Sequence, residues 1–300
     1  MNTANNPKFG EVAIIGRPNV GKSTLINALV GEKISITSAK PHTTRHRVLG
    51  ILNQGLNQAV FVDTPGHERR SNRALHRLMA RVVHHALESC DLILLVVEAT
   101  GLTDADHKIV ELLGERLADT IIVVNKIDKL KHIDTLLPFL AQLQTIPCAA
   151  FVPISAKRRI SLEQLSKAIF AALPAGPAMF PLEMTTDRDL AFRAAELIRE
   201  KLIDAMYQEV PYGLTVEIEH MSQNDEGRWL IHALIWIEKE SHKSIVIGKQ
   251  GQRLKAVGTK ARLELVEILN ASVHLELWVK VREHWSDSEQ ELHRLGFDSL

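Results

Sequence analysis

Cysteine is scarce in this chain: among 300 residues there are two, Cys90 and Cys148. They stand far apart with no histidine at ligand spacing, which argues against a disulfide framework and a zinc site and points to a reducing compartment. An excess of charge is missing as well. Thirty-six basic and 36 acidic side chains cancel, so any contact with a polyanion must be a local patch and not a property of the whole chain. Long apolar runs are lacking: the longest, residues 92–97, falls far short of the roughly 20 residues a bilayer-spanning helix requires. Residues 1–8 are polar and carry no apolar core of a secretion signal, so the expected location is cytoplasmic. Aromatic residues make up 5% of the chain. Trp229, Trp236, Trp278 and Trp285 fall on strand-like stretches or just beyond them, where a core or interface role is expected before base stacking. The 14 histidines show no ligand spacing and are read as surface residues, the pair His84-His85 among them.

What remains is an ordinary globular balance, 45% hydrophobic and 24% charged, in a length that suits one large domain or two ordinary ones. Within it, Gly16-Arg17-Pro18-Asn19-Val20-Gly21-Lys22-Ser23 stands between the apolar run Val12-Ala13-Ile14-Ile15 and a helical stretch at residues 24–30. A buried strand, a glycine-bearing turn and a helix opening at Lys-Ser form the P-loop pattern, in which backbone N–H groups and a helix N-terminus converge on a polyphosphate. Gly16 and Gly21 keep Cβ atoms clear of the phosphates, Lys22 supplies a point charge, and the Ser23 hydroxyl suits Mg2+. The expected contacts are Gly16, Asn19, Val20, Gly21, Lys22, Ser23 and Thr24.

Residues 32–44 read as a polar loop and 48–52 as a strand. The next apolar run, 59–62, ends in Asp63-Thr64-Pro65-Gly66, at the strand end where open α/β sheets bind ligands. Asp63 can hold Mg2+ through water, and Gly66 can offer a backbone N–H to the terminal phosphate. Residues 69–89 and 104–117 read as helices, 92–97 and 121–124 as strands, and the last of these delivers Asn125-Lys126-Ile127-Asp128. A carboxylate there accepts two hydrogen bonds from an N1–H and 2-amino edge, which guanine has and adenine lacks, while Asn125 and Lys126 support the pocket. A further strand, 149–154, leads into Ser155-Ala156-Lys157, placed to meet the base through backbone N–H groups. Helix 161–173 closes the unit, with Ser161 as its expected N-cap and Gln164 at the capping-box position. Alternating strands and helices predict an α/β fold with a mainly parallel sheet covered on both faces.

Three prolines and a glycine within residues 173–181 stop that helix and read as a stiff linker. The expected division is a first domain at 1–173, a linker at 174–186, and a second domain with a C-terminal tail at 187–300. In the second, a helix at 187–209 precedes strands at 214–221 and 229–238, a short apolar helix or strand at 243–247, Gly248-Lys249-Gln250-Gly251, a helix at 252–269 and a strand at 273–281. Gly-x-x-Gly alone carries little information. Its setting is that of an α+β type II KH module, whose glycine loop clamps the backbone of about four single-stranded nucleotides against an apolar groove. Ile245, Ile247, Gly248, Lys249, Gln250, Gly251 and Lys255 are the expected RNA contacts. A plain helix–turn–helix with a solvated basic face is the alternative these residues leave open.

Taken in order, these motifs resemble the Era family of bacterial Ras-like GTPases that carry a C-terminal KH domain, over nearly the whole chain. Two further stretches belong to the resemblance: Pro41-His42-Thr43-Thr44-Arg45-His46-Arg47, and His274-Leu275-Glu276-Leu277-Trp278-Val279-Lys280-Val281. The resemblance implies binding of GTP and GDP, GTP hydrolysis with Mg2+, and binding of the KH domain to the 3′ end of 16S rRNA during small ribosomal subunit maturation. It also implies a peripheral inner-membrane fraction, and a monomer is expected. It makes Thr44 the switch I threonine that meets Mg2+ and the γ-phosphate, with Thr43 as the one-residue alternative. Asn19 matches an asparagine that ligates K+ in related potassium-stimulated GTPases. The catalytic set it implies is Lys22, Thr44, Gly66 and His67. His67 departs from the family, which usually has an apolar residue there; translational GTPases carry a histidine at that place, where it can orient the attacking water. Asn125-Lys126-Ile127-Asp128 opposes a P-loop kinase. Another RNA, or a protein, as partner of the second domain stays open.

Overall fold

The computed structural model describes residues 6–38, 45–64, 74–206 and 213–297. Its first half holds six strands, β1 (Phe9–Ile15), β2 (Val48–Gln54), β3 (Asn57–Asp63), β4 (Leu92–Glu98), β5 (Thr120–Asn125) and β6 (Ala150–Pro153). Five helices accompany them: α1 (Lys22–Val30), α2 (Ala74–Ser89), α3 (Asp104–Leu113), α4 (Leu136–Leu143) and α5 (Leu162–Ala172). The sheet order is β2-β3-β1-β4-β5-β6, parallel except for the edge strand β2, which runs antiparallel to β3.

Strand β4 shows why both faces are covered. Its sequence Leu-Ile-Leu-Leu-Val-Val-Glu is buried at every position before Glu98, and an uninterrupted apolar strand requires a layer on each side. Val12, Ile14, Leu92, Leu94 and Val96 pack on Leu25 and Ile26 of α1 and Ile169 of α5. Ala13, Ile15, Ile93, Leu95 and Val97 pack on Ala86 of α2, Ile109 of α3 and Phe139 of α4. At roughly 1.5–3 kcal/mol for each large aliphatic side chain removed from water, these layers hold the strand ends in one row.

In the first half, α3 and α5 differ from expectation. Helix α3 stops at Leu113, because Gly114 leaves helical geometry (φ 50°, ψ −122°), and residues 114–119 continue as a 3-10 turn. Ser161 does not cap α5. Its backbone is left-handed (φ 60°) after the tight turn pairing Ser155 with Ile160, and its side chain makes no cap hydrogen bond, since capping needs an extended residue. A capping box does exist at α3, where Thr103 and Asp106 satisfy each other's backbone N–H.

The second half contains α6 (Leu190–Ala205), β7 (Leu214–Gln223), β8 (Trp229–Ile237), α7 (Glu240–Ile247), α8 (Gln252–Leu269), β9 (Val273–Val281) and α9 (Glu289–Arg294). Central β8 is antiparallel to β7 and parallel to β9, and Ala233, Ile235 and Ile237 turn its inner face to Ile198 and Leu202 of α6 and Val257 and Ala261 of α8. Helix α6 starts three residues later than expected because Asp187 accepts a hydrogen bond from Leu49 N–H (3.0 Å), while Asp189 caps the helix through Phe192 N–H (2.7 Å).

The proline-rich stretch is laid along the first sheet. Pro174 C=O accepts from Phe9 N–H (3.2 Å), Thr185 C=O from Ile51 N–H (2.8 Å), and buried Gln58 Oε1 from Met179 and Phe180 N–H (both 2.9 Å).

The halves also meet around His46, which corrects the reading of the histidines as surface residues. Its ring stacks on Phe297 (centroids 4.1 Å), stands edge-on to Phe192 (5.1 Å), and donates from Nδ1 to Gly296 C=O (3.2 Å). Arg45 beside it donates to Leu214 C=O (2.8 Å). Ala74, Leu75, Leu78 and Met79 of α2 pack on Trp285, Leu292 and the same Phe297. Burial, reinforced by Arg199 and Arg188 and opposed by Glu196, lowers the His46 pKa to about 4. The unfolded chain takes up that proton near pH 6.5, the folded chain only near 4, so stability falls as pH drops through the interval. Between pH 7 and 5 we expect a loss of about 2 kcal/mol from this group. Unfolding curves at the two pH values measure it, and His46→Gln should remove most of the difference; an unchanged difference would assign the loss to other groups.

Candidate functional site

Three strands end in polar side chains on one edge of the sheet: Asp63 on β3, Glu98 on β4 and Asn125 on β5, with Glu98 and Asn125 in register. The turn after β1 rises in front of them and runs into α1 at Lys22. Gly21 sits at φ 102°, and a Cβ there would lie 2.5 Å from Asn125 Nδ2, so the loop closes on the β5 end with no space for a side chain. Lys22 is buried, its Nζ donating to the carbonyls of Gly16 (2.9 Å) and Arg17 (3.2 Å). Ser23 Oγ donates to Asp63 Oδ2 (3.2 Å), and Asp63 is buried. A hydroxyl and a carboxylate oxygen converging at this separation are the hard ligands that suit a divalent cation.

Asn125 ties three segments together. Its Nδ2 donates to Val20 C=O (2.8 Å), and its Oδ1 accepts from Lys126 N–H (2.8 Å) and Ala156 N–H (3.0 Å). Asp128 accepts from Ser155 Oγ (2.5 Å), and that hydrogen bond holds its carboxyl below the usual range. It therefore stays ionised and acceptor-only near neutral pH, as a donor edge of a purine requires. Asn19 is exposed at φ 65°, its carbonyl taking the ammonium of Lys126; Thr24 lies half-buried in the first turn of α1, and Lys157 is exposed. Thr43, Thr44, Gly66 and His67 lie outside the described residues.

One group at this edge went unread in the sequence. Glu98 accepts from the Lys126 ammonium on one oxygen and faces Arg17 Nη2 at 3.5 Å on the other, while Arg17 Nε reaches Asp106 Oδ2 at 3.2 Å. Burial works to raise the Glu98 pKa, but Lys126 and Arg17 outweigh it and bring it below the usual range. In the sequence Glu98 is only a carboxylate closing an apolar strand, and the β4–β5 register is what brings it to this edge.

The second candidate surface follows α7. Gln250 (φ 51°) and Gly251 (φ 76°) are left-handed, Gly248 combines a positive φ of 74° with an extended ψ of 176°, and a Cβ on Gly248 would meet Arg253 Cβ at 2.7 Å. Buried Val246 anchors the turn, while Ile245 is 39% exposed and Ile247 half-buried beside it. Lys249, Gln250 and Lys255 are exposed, and the Arg253 guanidinium caps Ile245 C=O. An apolar strip bordered by a tight turn and amines suits a flat base and its phosphodiester. Of the tryptophans, Trp285 is fully buried and Trp278 is 41% exposed. Among the described residues no helix is long and apolar enough to cross a membrane.

A family model described as 50S ribosome-binding GTPase matches residues 11–126, and a KH-domain model matches residues 209–286. GTPase Era of Histophilus somni (strain 129Pt) is 45% identical over 289 residues, 96% of each chain. GTPase Era of Pasteurella multocida (strain Pm70) is 44% identical over 300 residues, 99% of this chain and 98% of its own. Two crystal structures superpose with a TM-score of 0.91 at 40% identity, over 97% of this chain and 99% of theirs. One is an Aquifex aeolicus Era variant bound to GDP and AlF4−, the other Era in complex with MgGDPNP and nucleotides 1506–1542 of 16S ribosomal RNA.

Proposed function

Because this chain belongs to the Era family of GTPases, we propose that it hydrolyses GTP at the P-loop edge and binds the single-stranded 3′ end of small-subunit ribosomal RNA at the Gly248–Gly251 turn. The observation that carries the reading is Asn125, whose amide joins the phosphate loop, the base-reading turn and the segment at Ala156 in one hydrogen-bonded unit.

GTP, GDP and Mg2+ are the ligands of this family site. Asp128 and Ser155 are suited to reading guanine, with the N–H of Ala156 beside them. On arrival of a triphosphate, the Lys22 ammonium exchanges the carbonyls of Gly16 and Arg17 for the outer phosphate oxygens, where charge develops in the transition state. The loop amides from Asn19 to Thr24 cradle the phosphates. Ser23 and, through water, Asp63 would hold Mg2+, which when bound neutralises phosphate charge. We assign Thr44 and Gly66 to ordering the γ-phosphate side, His67 to orienting the attacking water, and the exposed Asn19 side chain to a K+ ion. We take the domain division as 1–173, 174–186 and 187–300, and place the action of the chain in small-subunit maturation, with a cytoplasmic pool and a peripheral inner-membrane fraction.

Gly248→Asp tests the RNA half. It puts a Cβ where Arg253 Cβ already lies at 2.7 Å and adds a carboxylate facing phosphate. With a 3′-terminal rRNA oligonucleotide, binding measured in the presence of GDPNP is expected to weaken by at least about tenfold, with binding of fluorescent GDP as the folding control. RNA affinity equal to that of the parent would move the partner site elsewhere. Equal RNA affinity of the parent in its GDP and GDPNP states would remove coupling between the sites.

A further inference from the structure

The base-reading turn is held in an unfavourable backbone state. Lys126 has φ 68° and ψ 35°, left-handed values that cost a side-chain-bearing residue on the order of 1 kcal/mol and persist only where the surroundings enforce them. Backbone hydrogen bonds account for part of that enforcement: Lys126 N–H is taken by Asn125 Oδ1 and its C=O by Lys129 N–H (3.0 Å). The side chain is restrained separately. Its ammonium is shared between Glu98 and the carbonyl of Asn19.

Glu98 faces two ways. One carboxylate oxygen holds Lys126, and the other lies 3.5 Å from Arg17 in the phosphate loop. Arg17 also reaches Asp106, which is buried and caps α3 through Thr103. Two cations and two carboxylates thus alternate as Asp106, Arg17, Glu98, Lys126. They span four segments: the α3 N-terminus, the phosphate loop, the β4 end and the base turn. All four side chains are largely shielded from solvent, with 0–22% exposed, and charge-assisted hydrogen bonds in such a setting are among the stronger ones available.

We infer that Glu98 is a positioning residue for guanine specificity, setting the distance between the phosphate loop and the base-reading turn by bridging Arg17 and Lys126. A nucleotide bound at both ends samples that distance directly. With Glu98 neutral, the phosphate loop keeps its own hydrogen bonds, while Lys126 and the Asp128 behind it lose their lateral restraint. The cost then falls on how long a nucleotide stays and how sharply its base is read.

The inference rests on the guanine site proposed above, and the experiment separates the two. Dissociation of N-methylanthraniloyl-GDP is measured for the parent, Glu98→Gln and Arg17→Met, together with GDP and IDP affinities, steady-state kcat and KM for GTP, and melting temperatures. IDP lacks the 2-amino group that Asp128 is placed to accept. Glu98→Gln is expected to release the labelled GDP about tenfold faster. It is also expected to shrink the preference for GDP over IDP at least threefold and to raise KM far more than it lowers kcat. Arg17→Met attacks the bridge from its other end and should reproduce the faster release, and the double variant should release no faster than the worse single one. Unchanged release and base preference in Glu98→Gln would overturn the inference, as would a lowered melting temperature with the GDP:IDP ratio intact. Failure of the parent to prefer guanine over adenine nucleotides would instead overturn the site reading itself.

Discussion

Asn125→Ala is expected to weaken GDP and GTP binding by about a thousandfold. The substitution removes an acceptor serving Lys126 and Ala156 N–H and a donor serving Val20 C=O, at distances of 2.8–3.0 Å, in a side chain that is buried. Each buried polar group left without a partner costs on the order of 1–3 kcal/mol. Relaxation and water entry reduce the sum, and about 4 kcal/mol remains, which is a factor of about a thousand. The loss is expected in nucleotide affinity because the three partners belong to three segments that frame the proposed nucleotide site. Titration calorimetry with GDP on nucleotide-stripped protein measures it. A dissociation constant within tenfold of the parent would mean that another contact holds these segments together.

The second large effect is on turnover. Lys22→Ala is expected to reduce kcat for GTP by about a thousandfold, since it deletes the desolvated positive charge that the proposed mechanism sets against the developing phosphate charge. Lys22→Arg should not rescue it. The ammonium occupies a buried slot between the carbonyls of Gly16 and Arg17, and a planar guanidinium is wider than that slot and hydrogen-bonds in a different geometry. Single-turnover hydrolysis at saturating GTP is the measurement; a rate within tenfold of the parent would remove Lys22 from the chemistry.

Much of this was legible in the chain because the informative residues sit at strand ends. Asp63 and Asn125 each close a short buried run, and the change from apolar to polar marks both the end of the strand and the edge of the sheet at which the nucleotide site is proposed. The type II KH order of elements could be read for a similar reason, Gly248 and Gly251, both at positive φ, interrupting two helices. Glu98 was passed over because a single terminal carboxylate has no meaning until the register places it beside Asn125 and within reach of Lys126. His46 escaped for the opposite reason. Its immediate neighbours Arg45 and Arg47 are charged, and its ring contacts are Phe192 and Phe297, which lie far along the chain. Ser161 failed as a cap because local preference was overruled by the turn that pairs Ser155 with Ile160.

The stretch between the two halves has a practical consequence for dividing the molecule. Strand β2 is the outer strand of the first sheet, and its free side is taken up by Thr185 C=O on Ile51 N–H, by the bridge of Thr186 to Gly50, and by the Asp187 carboxylate on Leu49 N–H. A fragment cut at Leu173 would bare that side as an unpaired ladder, the kind of edge through which copies of a protein stack on one another. A fragment retained through Asp187 carries its own edge guard.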